Sequence, residues 1–424
     1  MNTEQTLLCL ATALLCGLLM SRLAKVVKLP AVTAYLVTGL LLGPFFIGRL
    51  GVLGLGFPTL EIVDSLKIIS QVALGFIAFA IGNEFRLSQL EVMGKQAITV
   101  GILQAVITTI LVDFALVITH FLMPDIISVS SAITLGAIAA ATAPAATLMV
   151  VKQYKADGPL TKLLLMVVAI DDAVGLVLFS ASFGIASALE SGTISVISVV
   201  VEPILEIVLS VLLGTIAGFV LNWLEVYFHS RSKRMSLSIS FVLFTVGVSM
   251  MEFDVGAVHI SFSLLLVCMM MGTVFCNVCE TSEELMGRVD RWTSPISILF
   301  FVLSGGELDL GILANPVVLL IGVVYIIFRS AGKYFGAFAS CKMTKCSKEI
   351  TNHLGITLFP QAGVALGMAL TAANLSDGAV IRNVVLFSVL IYELVGPTLT
   401  KISLTKAGEI KPEPKSARTL NQNR

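Results

Sequence analysis

The chain has 424 residues, of which 57% are hydrophobic and only 13% charged, and its mean hydropathy is +0.98. Soluble domains carry about 25% charged residues, so this composition indicates a membrane protein rather than a soluble one. The formal net charge is zero, which implies no polyanionic partner such as a nucleic acid. Because the sequence contains neither a P-loop nor a dinucleotide fingerprint, we expect no enzyme activity and no cofactor.

Apolar segments long enough to cross a bilayer recur along the chain, separated by short polar breaks. Each is near or above the roughly 17–25 residues that a spanning helix needs, apart from a short tenth segment that contains Pro295. The sequence therefore predicts an all-α polytopic membrane protein with about 13 transmembrane helices, followed by a short cytoplasmic tail at 403–424. The segments cover residues 5–24, 30–48, 61–84, 94–122, 129–152, 159–187, 198–227, 235–252, 257–277, 292–306, 316–343, 350–374 and 380–402.

Basic residues gather in alternate loops between these segments, and the opposite loops hold mainly acids. By the positive-inside rule the basic loops face the cytoplasm. We therefore expect a multi-pass protein of the cell inner or plasma membrane, with its N-terminus outside and its C-terminus in the cytoplasm. The basic loops contain Lys25, Lys95, Lys155, Lys162, Arg231 and Lys345, and the opposite loops contain Asp125, Glu190, Asp254 and Asp377.

Two short motifs recur at nearly the same offset, which predicts an internal repeat. Both 82–87 and 305–310 read Gly-x-Glu-apolar-x-Leu, with Glu84 and Glu307 lying 223 residues apart. The motifs that begin at Asp172 and Glu393 both read acid-apolar-Val-Gly and lie 221 residues apart. Because the copies have opposite predicted topology, we expect two inverted six-helix repeats, an architecture of transporters that bind their substrate at the membrane midplane.

Asp171 and Asp172 lie side by side in the sixth apolar segment. A carboxylate at the bilayer centre costs roughly 2.5–3.5 kcal/mol, and two adjacent anions also disfavour each other. Acids that are kept inside a membrane usually mark an ion or proton pathway. The pair therefore predicts a site for a cation or a proton.

The fifth and twelfth segments carry helix-breaking sequences, Ala143-Pro144 in one and Pro360-Gln361 in the other. Proline removes a backbone donor and clashes with the preceding turn. Backbone groups without helical hydrogen bonds are tolerated inside the membrane only where they are buried in protein or line a cavity. Paired interruptions at corresponding positions point to a transport site; the alternative is two kinked helices without a role in binding.

The eleventh segment contains Arg329 and Lys333, which are four residues apart and share a helix face. Buried cations need anions. For Arg329 we predict a static ion pair with Glu393. For Lys333 we predict a functional role, because a buried ammonium loses its proton more readily than a guanidinium. The sequence leaves open which of the two cations pairs with Asp171.

Several of these features resemble the monovalent cation/proton antiporters. Residues 29–44, LPAVTAYLVTGLLLGP, resemble the second helix of that superfamily. Thr142-Ala143-Pro144, Asp171-Asp172, Lys333 and the GVALG sequence at 363–367 follow in the family's order. The resemblance covers nearly the whole membrane part of the chain, and its combination of aspartate pair, broken helix and basic helix is specific.

The resemblance implies the NhaA fold within a membrane transporter domain at 1–402. Helices at about 5–84 and 235–306 would form a scaffold that dimerises. Helices at about 94–187 and 316–402 would form a mobile core in which the two broken helices cross, and a linker helix at about 198–227 would join the repeats.

The resemblance also implies roles for single residues. Asp172 would bind the ion, Asp171 would pair with Lys333, and Thr142 would help to line the site. The Asp-Asp form is typical of the electrogenic branch, whereas electroneutral relatives have Asn before the Asp. The expected cargo is Na⁺ or Li⁺ in exchange for H⁺, since oxygen ligands suit small hard cations.

Other functions fit the same residues less well. One alternative is a K⁺/H⁺ antiporter or a gated K⁺ efflux channel, although a tail of this length could not hold the nucleotide-binding domain of potassium-efflux relatives. Another is a sodium-coupled anion symporter on a related fold.

Overall fold

The computed structural model describes residues 3–27, 29–52, 54–83, 85, 87–124, 126–191, 201–255, 258–308, 315–372 and 375–410. These residues are mostly helical, with one short antiparallel hairpin, β1 (Phe253–Val255) and β2 (Val258–Ile260). The helices are α1 Thr3–Val26, α2 Ala31–Leu42, α3 Leu60–Ser65, α4 Lys67–Asn83, α5 Leu87–Leu122, α6 Val129–Ile138, α7 Pro144–Tyr154, α8 Pro159–Ser191, α9 Glu202–Glu225, α10 Arg231–Ser249, α11 Leu264–Val278, α12 Ser282–Gly306, α13 Pro316–Met343, α14 Lys348–Thr357, α15 Gly363–Thr371 and α16 Gly378–Lys406.

Seven helices of the described chain are long and apolar enough to cross a membrane, namely α1, α2 with the turn that follows it, α5, α8, α9, α13 and α16. Helices α4, α6 and α11 are apolar but shorter. Every predicted apolar segment overlaps at least one of the observed helices. The described residues are therefore those of a helical, multi-pass membrane protein with one short hairpin.

Two segments differ from a simple spanning helix in the way that proline predicts. The fifth segment is divided into α6 and α7, and Pro144 occupies the first turn of α7, where no donor is needed. The twelfth is divided into α14 and α15.

The tenth segment is longer than expected, because α12 begins at Ser282 and continues through Pro295. The first half of α12 is rich in charged residues, so hydropathy alone does not predict that it is part of the helix. In the two repeat motifs, Glu84 and Asp309 lie outside the described residues, as does Asp125 of the loops.

The helices pack in two groups. Group I contains α1–α4 and α9–α12, and group II contains α5–α8 and α13–α16. Glycines bring helices of one group into backbone contact. A methyl group added at Gly39 or Gly82 would lie 1.9 Å from a carbonyl oxygen of another group I helix, that of Val302 or Met269. In group II, a methyl added at Gly332 would lie 2.7 Å from the Cα of Thr108 on α5.

Side chains connect the two groups at one end of the bundle. Lys152 on α7 forms an ion pair with Asp290 on α12, with Nζ and Oδ1 2.7 Å apart. Gln153 accepts a hydrogen bond of 2.8 Å from the backbone N–H of Ala31 at the start of α2. A cavity of about 540 Å³ opens beside these contacts, lined by α7, α8 and α12. Because Lys155, Lys162 and Arg291 also line it, we call this the basic end, and the opposite end, with Glu190 and Asp377, the acidic end.

Glu409, three residues after the end of α16, caps the helix that carries the aspartate pair. The carboxylate of Glu409 accepts hydrogen bonds from the N–H groups of Leu160 and Thr161 at 2.6 and 2.7 Å, and another from the Thr161 hydroxyl at 2.7 Å. Gly158 leaves room for it, since an added methyl would lie 2.3 Å from the Glu409 carboxyl carbon. An anion at a helix N-terminus satisfies free N–H groups and interacts favourably with the helix dipole.

We expect Glu409→Ala to lower the free energy of unfolding by about 0.5–2 kcal/mol, the range for loss of an N-cap acceptor. Thermal unfolding in detergent measures the change. Glu349→Ala, at an exposed acid in the first turn of α14, is the matched control and should have a smaller effect. Equal melting temperatures for Glu409→Ala and wild type would show that the cap contributes nothing.

Candidate ion-binding site

The two helix breaks of group II meet each other. Helix α6 ends at Ile138 and α7 begins at Pro144, while α14 ends at Thr357 and α15 begins at Gly363. The N–H of Ala143 donates a hydrogen bond of 2.8 Å to the carbonyl of Pro360, which joins the two breaks directly. Each break leaves backbone carbonyls and N–H groups without helical partners. The half-helices α6 and α14 also place the negative ends of their dipoles at this point.

Arg329 satisfies carbonyls of both breaks. Its guanidinium is fully buried and donates to Ala139 O at 3.0 Å, to Ala141 O at 2.7 Å and to Phe359 O at 2.8 Å. It also lies over the ring of Tyr392, 4.3 Å from the centroid. A cation beside two helix C-termini is favourable. Arg329 therefore holds the two breaks together.

The predicted ion pair of Arg329 with Glu393 is not formed between these two described residues, so that prediction was wrong. The guanidinium donates to the bare carbonyls of the breaks, and Glu393 Oε2 is buried with no hydrogen-bond partner. The physical reason is that broken helices present unpaired carbonyls at the same depth, and these compete for the cation.

Lys333 and Asp171 form a fully buried ion pair, with Nζ and Oδ2 2.8 Å apart. Lys333 also donates to the carbonyl of Ala140 in the first break and, at 2.9 Å, to the hydroxyl of Thr142. Thr142 in turn donates to Asp171 Oδ2. The second carboxylate oxygen of Asp171 accepts from the side-chain amide of Gln104. Burial of such a pair is tolerable only with additional hydrogen bonds of this kind.

Asp172 lies next to this pair but outside its hydrogen-bond network. The residue is 9% exposed, whereas Asp171 and Lys333 are 0% exposed. Its Oδ1 atom is buried and has no hydrogen-bond partner among the described residues. The carbonyls of Ala139, Ala140, Ala141, Phe359 and Pro360 all accept hydrogen bonds already. Asp172 Oδ1 thus differs from these carbonyl oxygens in having no hydrogen-bond partner within the described chain.

Gln361 holds the second helix break against neighbouring helices through hydrogen bonds. Its amide N–H donates to Ile138 O at 3.1 Å and to the Tyr325 hydroxyl at 2.9 Å, and its Oε1 accepts from Ser388 at 2.9 Å. The side chain is fully buried. It connects the second break to the end of α6, to α13 and to α16.

The sequence did not single out two polar residues on α5. Gln104 contacts Asp171, and Asp113 lies against Gly136 of α6, with Oδ1 buried and unpartnered within the described chain. The available signal was their presence in the apolar segment 94–122, where polar side chains are costly. Their direction along the helix surface depends on packing and could not be predicted.

A buried acid–lysine pair at crossed helix breaks, inside a multi-pass helical protein, is the arrangement of a membrane ion transporter. A sequence model described as "Sodium/hydrogen exchanger, transmembrane" matches residues 10–406. The chain therefore belongs to the sodium/hydrogen exchanger family of monovalent cation/proton antiporters.

Two solved structures have a fold similar to that of this chain. The sodium proton antiporter MjNhaP1 from Methanocaldococcus jannaschii at pH 8 superposes with a TM-score of 0.72 at 18% identity, covering 97% of this chain and 99% of that one. An electron-microscopy structure of the same antiporter gives a TM-score of 0.68 at 16% identity, with 97% and 100% covered. A comparison with curated protein sequences finds no match.

Proposed function

We propose that this protein exchanges Na⁺ or Li⁺ for H⁺, with Asp172 as the site that both ions share. The observation that carries the proposal is the buried, unpartnered Oδ1 of Asp172 beside the Lys333–Asp171 pair. Carboxylate oxygen is a ligand that hard alkali cations accept. Because one carboxylate holds either a proton or a metal ion, competition for it couples the two flows.

Alternating access is the proposed route, with group II as the mobile core and group I as the scaffold. The close glycine contacts described above lie within one group, whereas side chains connect the groups at the basic end. The cavity there is lined by Met166, six residues before Asp172 on α8. At 1.5 Å per residue this is a rise of about 9 Å. The geometry favours a state open toward the basic end.

We also propose that the protein has thirteen spans arranged as the inverted repeats of the NhaA fold. Its basic end would face the cytoplasm, and its scaffold would dimerise in the lipid bilayer.

The Lys152–Asp290 ion pair and the Gln153 contact must break if group II moves. Both are contacts of polar side chains, which water can replace.

We propose that the exchange is electrogenic because the site contains a second acid, Asp171, beside Asp172. If the Lys333–Asp171 pair opens when Asp171 takes up a proton, two protons cross against one Na⁺ and one net charge moves per cycle. That charge is worth about 2.3 kcal/mol per 100 mV. An imposed membrane potential should therefore drive exchange.

Proteoliposomes test the function. Purified protein is reconstituted with a pH dye inside, and gradients of Na⁺, Li⁺ or K⁺ are imposed in turn. Proton movement with Na⁺ or Li⁺ supports the proposal. Proton movement with K⁺ alone identifies a K⁺/H⁺ antiporter, and a K⁺ current that follows its gradient without protons identifies an efflux channel.

We expect Lys333→Gln to make the remaining exchange insensitive to voltage. Without the ammonium, Asp171 stays protonated, so one proton per cycle is lost and Asp172 alone exchanges one proton for one Na⁺. The measurement is Na⁺-driven proton transport with and without a K⁺/valinomycin potential. Lys342→Gln, at an exposed lysine near the end of the same helix, should respond like wild type. A Lys333→Gln protein as voltage-sensitive as wild type would remove Lys333 from the coupling.

A further inference from the structure

The helix that carries Lys333 ends in a turn that places two cysteines side by side. Lys345 has a φ of 56°, in the left-handed region, and its N–H donates to Lys342 O at 3.3 Å. The N–H of Cys346 donates to Cys341 O at 2.9 Å. These are the two hydrogen bonds of a Schellman motif, in which the side chains at the ends of the longer loop commonly pack against each other. Cys341 and Cys346 therefore lie next to each other where α13 ends.

The turn has dimensions that a disulfide can bridge. Residues that exchange backbone hydrogen bonds in an antiparallel sheet have Cα atoms about 5.5 Å apart, and the Cα atoms of bridged cysteines are usually about 4.4–6.8 Å apart. The backbone hydrogen bond from Cys346 to Cys341 holds their Cα atoms at a similar separation. Cys346 also packs against the apolar cluster that contains Cys341, so both side chains lie on the same side of the turn. Both residues are free cysteines.

The two thiols differ in their access to water. Cys341 is 0% exposed, whereas Cys346 is partly exposed. The hydroxyl of Thr344 lies 3.4 Å from Cys346 Sγ. The Cys341 thiol and the Thr344 hydroxyl hold the pKa of the Cys346 thiol below its usual range. An accessible thiol with thiolate character beside a second, protected thiol is typical of cysteines that react with oxidants.

The cysteine pair lies at the basic end of group II. The apolar cluster around it also contains Val151 of α7 and Leu160 of α8, two helices that line the cavity there. If the basic end faces the cytoplasm, as proposed, reductants of the cytosol return such a pair to thiols, and a disulfide there is transient.

We propose that Cys341 and Cys346 are a reversible oxidation site for peroxides, with Cys346 as the attacking thiol and Cys341 as the resolving thiol. The roles follow from exposure, because a peroxide can reach Cys346 but not the buried Cys341. This inference goes beyond the proposed ion exchange and does not depend on it.

The reaction takes one hydrogen peroxide for each pair. The thiolate of Cys346 attacks one peroxide oxygen, the O–O bond breaks, and the leaving hydroxide takes up a proton to become water. Cys346 is then a sulfenic acid. The sulfur of Cys341 attacks the sulfur of Cys346, the S–S bond forms, and the hydroxyl group leaves with the proton of Cys341 as a second water. The two thiols lose two electrons in total, and the peroxide gains them.

Tryptic digestion tests the disulfide directly, because Lys342 and Lys345 lie between the two cysteines. The full-length protein in detergent is treated with hydrogen peroxide, its remaining thiols are blocked with N-ethylmaleimide under denaturing conditions, and it is digested. We expect the fragments 334–342 and 346–348 to remain joined in most of the protein and to separate after dithiothreitol. Separate fragments before reduction, or either cysteine joined to another one, would overturn the proposal.

Cys276 and Cys279 are the matched control, since they are closer in sequence but have other partners. Cys279 donates to Glu225 Oε2 at 2.7 Å, and Cys276 donates to Thr273 O at 3.2 Å. Both side chains are buried. They should stay reduced and be blocked by N-ethylmaleimide after the same treatment. Equal oxidation of this control pair would show that the turn at the end of α13 confers no selectivity, and the proposal would fail.

Two single variants test the separate roles of the thiols. Cys341→Ser lacks the resolving thiol, so Cys346 should stop at the sulfenic acid, which dimedone labels. Cys346→Ser lacks the attacking thiol, so Cys341 should take up no dimedone. Labelling of Cys341 in Cys346→Ser at the rate seen for Cys346 in Cys341→Ser would refute the assignment of roles. None of these measurements involves transport, so a failure to exchange Na⁺ for H⁺ would leave their outcome intact.

Discussion

Asp172→Asn is expected to reduce Na⁺-driven proton movement to the background of protein-free liposomes. The amide preserves the shape of the side chain but cannot hold a proton and a metal ion in competition. Because Oδ1 of Asp172 has no partner in the described structure, the substitution removes no hydrogen bond. We therefore expect the free energy of unfolding to change by less than about 1 kcal/mol.

Two further variants make this result specific. Asp113→Asn is the matched control, since Asp113 is another acid of group II that lies inside an apolar helix and has an unpartnered oxygen. It should retain exchange. Asp172→Glu keeps the carboxyl group and should retain part of the activity. Normal exchange by Asp172→Asn would show that the shared site lies elsewhere.

Arg329→Ala is expected to destabilise the protein by about 3–5 kcal/mol, the range for removing one partner of a buried charged contact. The change leaves three carbonyl oxygens of the two breaks without their donor, and each unsatisfied buried group costs about 1–3 kcal/mol before the structure relaxes. Thermal unfolding in detergent measures the loss. Exchange should also fall, because the breaks would no longer be held in one geometry.

The controls separate the contribution of the guanidinium from that of its charge. Arg329→Lys keeps the charge but cannot reach three carbonyls, so its stability should lie between those of Arg329→Ala and wild type. Arg382→Ala, at an exposed arginine of α16, should change stability by less than about 0.5 kcal/mol. Glu393→Gln should shift the melting temperature equally in the wild-type and Arg329→Ala proteins. A rescue of Arg329→Ala by Glu393→Gln would instead reveal the ion pair that the structure lacks.

Hydropathy and proline were sufficient to predict most of the helical architecture. A membrane helix must satisfy its own backbone, so an apolar segment of sufficient length is nearly always a helix, and proline ends it where the N–H is needed. The beginning of α12 could not be predicted in this way, because residues 282–291 are rich in charge and resemble a loop. That portion lies at the basic end, where water surrounds part of the helix.

Part of the site could be predicted from buried charges alone. An acid and a basic residue at similar membrane depth have few other partners, so both Arg329 and Lys333 were candidates for Asp171. The choice of Lys333 came from the resemblance to the antiporter family, and its part in coupling remains a prediction. The partners of Arg329 could not be foreseen, because backbone carbonyls are the same at every position of the sequence. The contact of Gln104 with Asp171 depends on how α5 turns against α13, which is decided by the close approach at Gly332 and Gly336.

The glycine contacts inside each helix group have a consequence for how such a protein can evolve. A larger residue at Gly39 or Gly332 would force two helices of one group apart and reduce the amount of folded protein. Residues at the boundary, such as Lys152 and Gln153, join the groups through flexible side chains instead. Substitutions there would change the strength of attachment between the groups while leaving each group intact. If group II moves against group I as proposed, a lineage could therefore adjust its transport rate to temperature or lipid without losing stability.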